Sequence, residues 1–530
     1  MATSTFTSRL KQLLLNQNSI LDPSQGAYKW FVLGNVMLGT FMAVLDATVV
    51  NVALPTIMAS FGASISSIQW VITAYMLAMA AMLPISGWMA DRFGYKRMFL
   101  TGIFLFTLGS ALCGISGTEE FLILSRVVEG LGGGIIQALG LAIISRVFPP
   151  DKRGIAIGFW TISSAGSVSF GPFIGGYIVD NFHWEYIFYL NVPIGVFAII
   201  TTLLILEEYK ESIKAKFDLV GFISIVIFMP LLIYALTEGN SSSNSEGWNA
   251  PSVLGAFAIS TIALTVFIST ELRVKNPILE LRLLADKNFG LTNLIMFLFG
   301  MAMFGSLFLL PLYLQNAMNY SALEVGKIYI PLGIIQGFIG PASGLLSNKV
   351  SPRLLILVGM ILLAFSFVLC SDLSLQTDKL YISLVMYFRG VGMGMLFAPL
   401  SALAFYTIPK PKMGQASGLL NTIRQLGGSF GVAIFSTIIT AREAFHTERY
   451  GEALSKTSTI FQNTLQGLSS SFVTHAGSTV QTAQEQATAL ITENISTQAF
   501  IQSVNNNYYI AAGIMLLGLI PIIFLKGKPK

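Results

Sequence analysis

The sequence predicts an all-α polytopic membrane protein whose fourteen transmembrane helices fall into a six-plus-two-plus-six plan. Three observations carry that prediction: a shortage of charge, fourteen apolar runs of spanning length, and a weak internal duplication. Of the 530 residues, 54% are hydrophobic, and only 31 are Lys or Arg and 26 Asp or Glu. A soluble chain of this length would carry roughly 130 charges. That composition excludes a soluble globular enzyme. A net charge of +5 that is not gathered into basic runs excludes a disordered or nucleic-acid-binding chain.

The fourteen apolar runs each reach the ~20 residues a membrane helix needs. The first eight are 29–54, 69–89, 98–115, 121–147, 155–178, 186–206, 219–236 and 253–272. The last six are 289–314, 326–347, 354–370, 380–408, 415–440 and 508–525. Orientation follows from Lys and Arg, which concentrate on the cytoplasmic side. With the N-terminus inside, 23 of the 31 basic residues fall in inside segments, and the short outside loops hold only Lys327 and Lys379. Both termini are therefore expected in the cytoplasm. Residues 1–28 lack a short apolar core followed by a small-residue cleavage site, so no removable signal peptide is expected.

The duplication separates two halves. At an offset of 257, Gly87-Trp-Met-Ala-Asp91-Arg92-Phe-Gly94 lies over Gly344-Leu-Leu-Ser-Asn348-Lys349-Val-Ser351, and Leu112-Cys113 over Leu369-Cys370. At an offset of 260, Gly154 meets Gly414, Gly158 meets Gly418, and Ser169-Phe170-Gly171 meets Ser429-Phe430-Gly431. The expected organisation is a cytoplasmic segment 1–28, a six-helix half 29–206, and two extra helices with their connections in 207–288. A second half, 289–525, contains a long outer loop at 441–507, and a cytoplasmic tail follows at 526–530. Parallel six-helix halves are transporter architecture, with binding expected between them near midplane. A bundle whose repeats serve only as scaffold is the alternative.

Ionisable groups inside spans are costly and point to function. Asp46 lies in span 1, within Leu45-Asp46-Ala-Thr48; it is either a proton-titrating acid or a carboxylate satisfied by a hydroxyl such as Thr48. Arg126 and Glu129 stand three apart on span 4, hence on one helix face, as a locked ion pair or a proton-releasing one. Arg389 and Arg424 have no acid in their own spans, and Arg424 follows Asn421 in a polar stripe. Structural bonding and substrate or gate contact stay open for both.

Span 5 carries Gly166-Ser-Val-Ser-Phe-Gly171-Pro172-Phe-Ile-Gly175-Gly176, where small residues allow close helix approach and Pro172 bends the helix. The inside loop Gly87 to Arg97 sets Asp91 among Arg92, Lys96 and Arg97. Three bases anchor topology; the acid among them is free to latch onto a base or a helix N-terminus. Two cysteines exclude a disulfide framework, and His183, His446 and His475 form no close pair, so no metal site is expected. There is no GxxxxGK[ST] loop, so no nucleotide is expected to supply energy. The proton gradient, with no cofactor, is the expected source, and an enzyme finds no support.

On these residues the chain resembles the major facilitator superfamily, specifically its fourteen-span drug:proton antiporters of the EmrB/QacA type, from about residue 30 to 525. Leu45 to Pro55 resembles the family's span-1 motif. Gly87 to Arg97 (with Gly94) resembles its loop signature, Arg126 to Gly132 its span-4 motif, and Gly166 to Gly176 its exporter motif. The resemblance implies that Asp46 and Arg126 handle protons and substrate, that Asp91 gates, and that Gly171-Pro172 is the antiporter hinge. It also implies export of small lipophilic compounds from a bacterial inner membrane, together with a periplasmic adaptor and an outer-membrane channel. Two positions depart from it: Glu129 stands where glutamine is common, and Ala138 where proline often appears. The outer loop 441–507 has 67 residues, 30 of them Ser, Thr, Asn or Gln. Phe461, Leu465, Leu468 and Phe472 recur at helical spacing there, so amphipathic helices are expected, as an adaptor contact or a solvated cap. A dedicated exporter of one metabolite (a fatty acid or siderophore) and a non-transporting receptor are the competing readings.

Overall fold

The computed structural model describes residues 26–63, 68, 70–210, 218–239, 244, 246–275, 277–347, 349–453 and 459–525. Residues 1–25 of the expected N-terminal segment, residues 211–217 and the tail 526–530 lie outside the described residues. Within them the chain is helical throughout. Helices α1 (Tyr28–Phe61), α2 (Trp70–Phe93), α3 (Tyr95–Gly114), α4 (Glu119–Val147), α5 (Arg153–Asn181) and α6 (Asn191–Ile205) come first. Next are α7 (Leu219–Glu238) and α8 (Pro251–Arg273), then α9 (Lys287–Leu312), α10 (Ala322–Leu346), α11 (Pro352–Leu369), α12 (Lys379–Ala404) and α13 (Met413–Ala453). The chain closes with α14 (Thr459–Ala476), α15 (Val480–Leu517) and α16 (Leu519–Phe524).

Local chemistry sets the boundaries. Thr118, Asp218, Asp286 and Ser321 cap the starts of α4, α7, α9 and α10 with side-chain oxygens on orphan backbone N–H groups. Gly94 takes φ +105° between α2 and α3, a conformation closed to most side chains. Pro172 lies inside α5 without ending it.

Among the described residues, thirteen helices are long and apolar enough to cross a membrane. The fourteenth expected span, 415–440, falls inside α13, whose polar stripe keeps it outside that set. The helix that carries the last expected span, 508–525, begins well before it, at Val480. Residues 480–512 contain neither glycine nor proline, so α15 runs unbroken from Val480. The described part of the outer segment is therefore helical, as its periodicity predicts: α14 and the end of α13 both pack on α15, and His446 Nε2 meets Asn506 Nδ2 at 2.9 Å.

The packing repeats. In the first half α2 and α3 lie against α4, and α1 against α5; in the second, α10 and α11 lie against α12, and α9 against α13. The same pairings recur eight helices later. Between the halves α5 runs along α10, and α2 meets α13. Helices α7 and α8 pack mainly on each other, with α7 also against α2. On the face carrying Arg92, Lys96 and Arg97, the basic face, the halves touch backbone to backbone. A Cβ on Gly87 would overlap Gly414, and one on Gly344 would overlap Gly154. Under the internal repeat these are one contact made twice. Arg146 and Arg153 add bonds across the seam, donating to the carbonyls of Lys410 (3.4 Å) and Phe405 (3.0 Å).

Candidate functional site

Three of the singled-out residues converge in the first half. Arg126 Nη1 donates to Asp46 Oδ2 at 2.6 Å and to Glu129 Oε2 at 2.7 Å, and Nε donates to the carbonyl of Val71 at 3.1 Å. Asp46, Arg126 and Glu129 are at most 2% exposed. The pair predicted on α4 is therefore a triad, because α1 delivers a second carboxylate to the same nitrogen. Thr48 does not satisfy Asp46; its hydroxyl donates to the carbonyl of Leu45 at 2.8 Å.

The surroundings complete a cage. Asn191, at the start of α6, donates to Asp46 Oδ1 (3.1 Å) and to Ser110 Oγ (3.0 Å). The guanidinium lies 4.1 Å from the centre of the Tyr75 ring, within cation–π range. The Cys113 thiol donates to Glu129 Oε2 at 3.5 Å. Gly109 makes the approach possible, since a Cβ there would strike the Glu129 backbone. Ser110 and Asn191 escaped the reading of single residues, although a polar group inside an apolar run is a usable signal; Tyr75 gave none. Electrostatically, one cation faces two carboxylates. The cage is neutral with one proton on the acids and carries a net negative charge without it.

Arg424 sits elsewhere. It is half-buried, and its Nη2 donates to Asn421 Oδ1 at 3.3 Å. It borders a void between the halves, of ≈ 520 Å³ including its solvent-open part, lined by α5, α9, α10, α12 and α13. Trp160, Phe299, Met303, Leu332, Met393 and Phe397 supply apolar walls, and Gln336, Thr161 and Ser164 supply polar atoms. Arg424 is the only ionisable side chain among the described residues lining it. Eleven residues of α13 separate it from Met413, about 16 Å, so it stands near the middle of a ~30 Å slab. Trp160 and Phe397 stack across the seam at 6.0 Å.

Arg389 joins neither group. It is fully buried on α12, donates to Cys370 Sγ at 3.4 Å, and lies over the rings of Phe367 (4.9 Å) and Tyr508 (5.7 Å). No carboxylate among the described residues pairs with it.

The remaining residues mark the seam and the α1–α5 contact. Asp91 is fully buried, accepts from the Tyr95 hydroxyl at 2.7 Å, and has Oδ1 3.1 Å from where a Cβ on Gly414 would stand, in the first turn of α13. Arg92 lies over Trp88 at 5.4 Å, Lys96 donates to the carbonyl of Leu203 at 2.6 Å, and Arg97 reaches Glu208 at 3.6 Å. A Cβ on Gly171 would overlap the Thr48 side chain, and one on Gly175 would lie 3.1 Å from the carbonyl oxygen of Val49. Gly166 has open space around it, and Gly176 only Leu323 at 3.8 Å. Ala138 leaves α4 unbroken, and its carbonyl accepts from Ser417 of the other half at 2.9 Å.

The family model of the Major Facilitator Superfamily matches residues 36–432. The chain is 31% identical to multidrug export protein EmrB of Haemophilus influenzae, over 97% of this chain and 99% of that protein. It is 31% identical to fatty acid resistance protein FarB of Neisseria gonorrhoeae, over 96% and 98%. Among solved structures, the human organic anion transporter MFSD10 superposes with a TM-score of 0.58 at 14% identity, over 94% of this chain and 99% of that one.

Proposed function

The chain belongs to the major facilitator superfamily, and from that premise we propose that it is a proton-coupled exporter of lipophilic compounds working by alternating access. The observation that carries the reading is the sharing of one guanidinium nitrogen by two buried carboxylates. A group that alternates between neutral and negative is what proton exchange needs, and no nucleotide motif offers another energy source. Asp46 and Glu129 take up and release the proton, and Arg126 holds whichever charge remains. The coupling runs through packing. Asp46 rides on α1, α1 lies against Gly171 and Gly175 of α5, and α5 lines the cavity with Trp160, Thr161 and Ser164. The Gly171-Pro172 segment is the hinge, and Asp91 with the Gly87 contact latches the basic face, taken as cytoplasmic.

Arg424, with Asn421, is the substrate contact. A lone cation among aromatic and Met walls favours a lipophilic acid over a permanent cation. That favours a narrower second reading, a dedicated exporter of one amphipathic acid, and the relationship to a fatty acid resistance protein supports it. The six-plus-two-plus-six division, a location in a bacterial inner membrane, and docking of an adaptor and outer channel on α14 and the outer ends of α13 and α15 complete the proposal.

The test uses proteoliposomes without ATP. An imposed pH gradient should concentrate a lipophilic acid, the acid should outcompete a quaternary ammonium dye, and Arg424→Ala should reduce acid export most. Undiminished concentrative transport after the gradient is collapsed would overturn the coupling. Export of the dye alone, untouched by Arg424→Ala, would overturn the substrate assignment.

A further inference from the structure

The two-helix insert holds a second pair of buried acids that neither the cage nor the cavity uses. Asp218 caps α7, accepting from the Gly221 backbone N–H at Oδ1 (2.9 Å), while its Oδ2 is buried without a hydrogen-bond partner. The residue is 8% exposed. Glu271, in the last turn of α8, is 0% exposed. No side-chain donor among the described residues reaches it; the nearest donors are the backbone N–H groups of Ile278 and Leu279. The two carboxylates face each other across Gly221. A Cβ there would stand 2.6 Å from Asp218 Oδ2 and 2.9 Å from Glu271 Oε1, so a glycine leaves a small cradle between two acid oxygens.

Among the described residues no basic side chain bonds to either carboxylate; Lys214 and Lys216, just before Asp218, lie outside them. Glu280, the next acid, is engaged by Lys412 at 3.0 Å and Arg282 at 3.8 Å. Arg273, Lys275 and Lys410 are exposed. On α2, the neighbour of α7, Asp91 is bonded to Tyr95 and Arg92 lies over Trp88. Two ionised carboxylates this close in a buried site repel strongly and do not both persist without a cation between them.

We propose that Asp218 and Glu271 hold one exchangeable proton between them, making the basic end of the insert a proton site distinct from the Asp46–Arg126–Glu129 cage. Atoms balance simply: a carboxylic acid donates to the opposed carboxylate, and loss of that proton to water leaves two anions. The site also has a route to the seam. Glu271 faces the backbone of Ile278 and Leu279, Leu279 packs near Gly418 of α13, and Glu280 in the same connection holds Lys412 just before α13.

Proton counting on the purified full chain tests this. Unbuffered protein titrated from about pH 10 down to about pH 5 should take up about one proton more per chain in wild type than in the Asp218→Asn/Glu271→Gln double variant. The Asp46→Asn chain should retain that difference, so failure of the cage reading leaves this result standing. Infrared spectra of each single variant should lose the same un-ionised carboxylic C=O band, a readout that does not require transport. Equal uptake in wild type and the folded double variant would overturn the proposal. So would suppression of the difference by sodium chloride but not by choline chloride, which would assign the cradle to a sodium ion.

Discussion

Glu129 and Arg389 occupy matching places in the two halves. Gly130, Gly132 and Gly134 on α4 correspond to Gly390, Gly392 and Gly394 on α12, and each set presses against repeat-related backbone: Gly130 against the carbonyl of Tyr75, Gly390 against that of Leu332. Glu129 touches Cys113 and Arg389 touches Cys370, cysteines that the repeat superimposes. One half thus places a carboxylate where the other places a guanidinium, and Met386 stands where Arg126 would. A carboxylate gains and loses a proton; an arginine in a protein does not. The comparison teaches that a duplicated scaffold has been made electrically one-sided, with two carboxylates around one arginine in the first half and a lone, aromatic-wrapped arginine in the second.

The largest effect that can break this comparison is on stability. Arg126→Met leaves two buried carboxylates with no cation and should cost about 3–5 kcal/mol. Arg389→Met removes a charge that pairs with no acid and replaces it with an apolar chain, so its change should stay within about 1 kcal/mol or be stabilising. Thermal unfolding of both proteins in one detergent decides it; equal losses would mean the two arginines do the same structural work.

Transport is the next scale. Asp46→Asn should lower gradient-driven export at least about tenfold, equivalent to ~1.4 kcal/mol, while Arg389→Lys should retain most of it, by initial rates in proteoliposomes. The seam sharpens the contrast, because there the halves are alike. Gly87→Ala and Gly344→Ala each thrust a methyl into the same backbone contact, and each should weaken the closed basic face by a similar ~1–3 kcal/mol. The change can be read as labelling of cysteines introduced behind the seam, and a large inequality would make the gate one-sided too. The smallest effects belong to the supporting groups. Asn191→Ala should cost about 1 kcal/mol by removing a donor from Asp46, and Cys370→Ala should change unfolding less than that.

Much of this was legible from sequence because membrane helices announce themselves by composition, and buried charge is rare enough that each instance stands out. Asp46, Arg126 and Glu129 could be named individually, and the α4 pair follows from helical spacing. That α1 brings Asp46 to the same nitrogen is a tertiary fact with no local trace, and the hydroxyl of Thr48, two residues on, stood as the alternative partner. The polarity that made Asn421 and Arg424 conspicuous also lowers the hydropathy of α13. The length of α15 had no signal, because apolarity marks the bilayer and says nothing about how far a glycine-free, proline-free helix continues into water. The Gly221 cradle had no signal, since a glycine between two acids 53 residues apart becomes a site only when α7 and α8 pack.

The central claim is that the proton exchanged at the Asp46–Arg126–Glu129 cage drives export, and simultaneous recording of proton and substrate flux in proteoliposomes tests it most directly. With a substrate gradient as the only driving force, wild type should move protons in the opposite direction. Asp46→Asn should lose that proton flux while still exchanging labelled for unlabelled substrate across the membrane. Proton flux that persists undiminished in Asp46→Asn, at an unchanged ratio to substrate, would place the coupling site elsewhere and contradict the account.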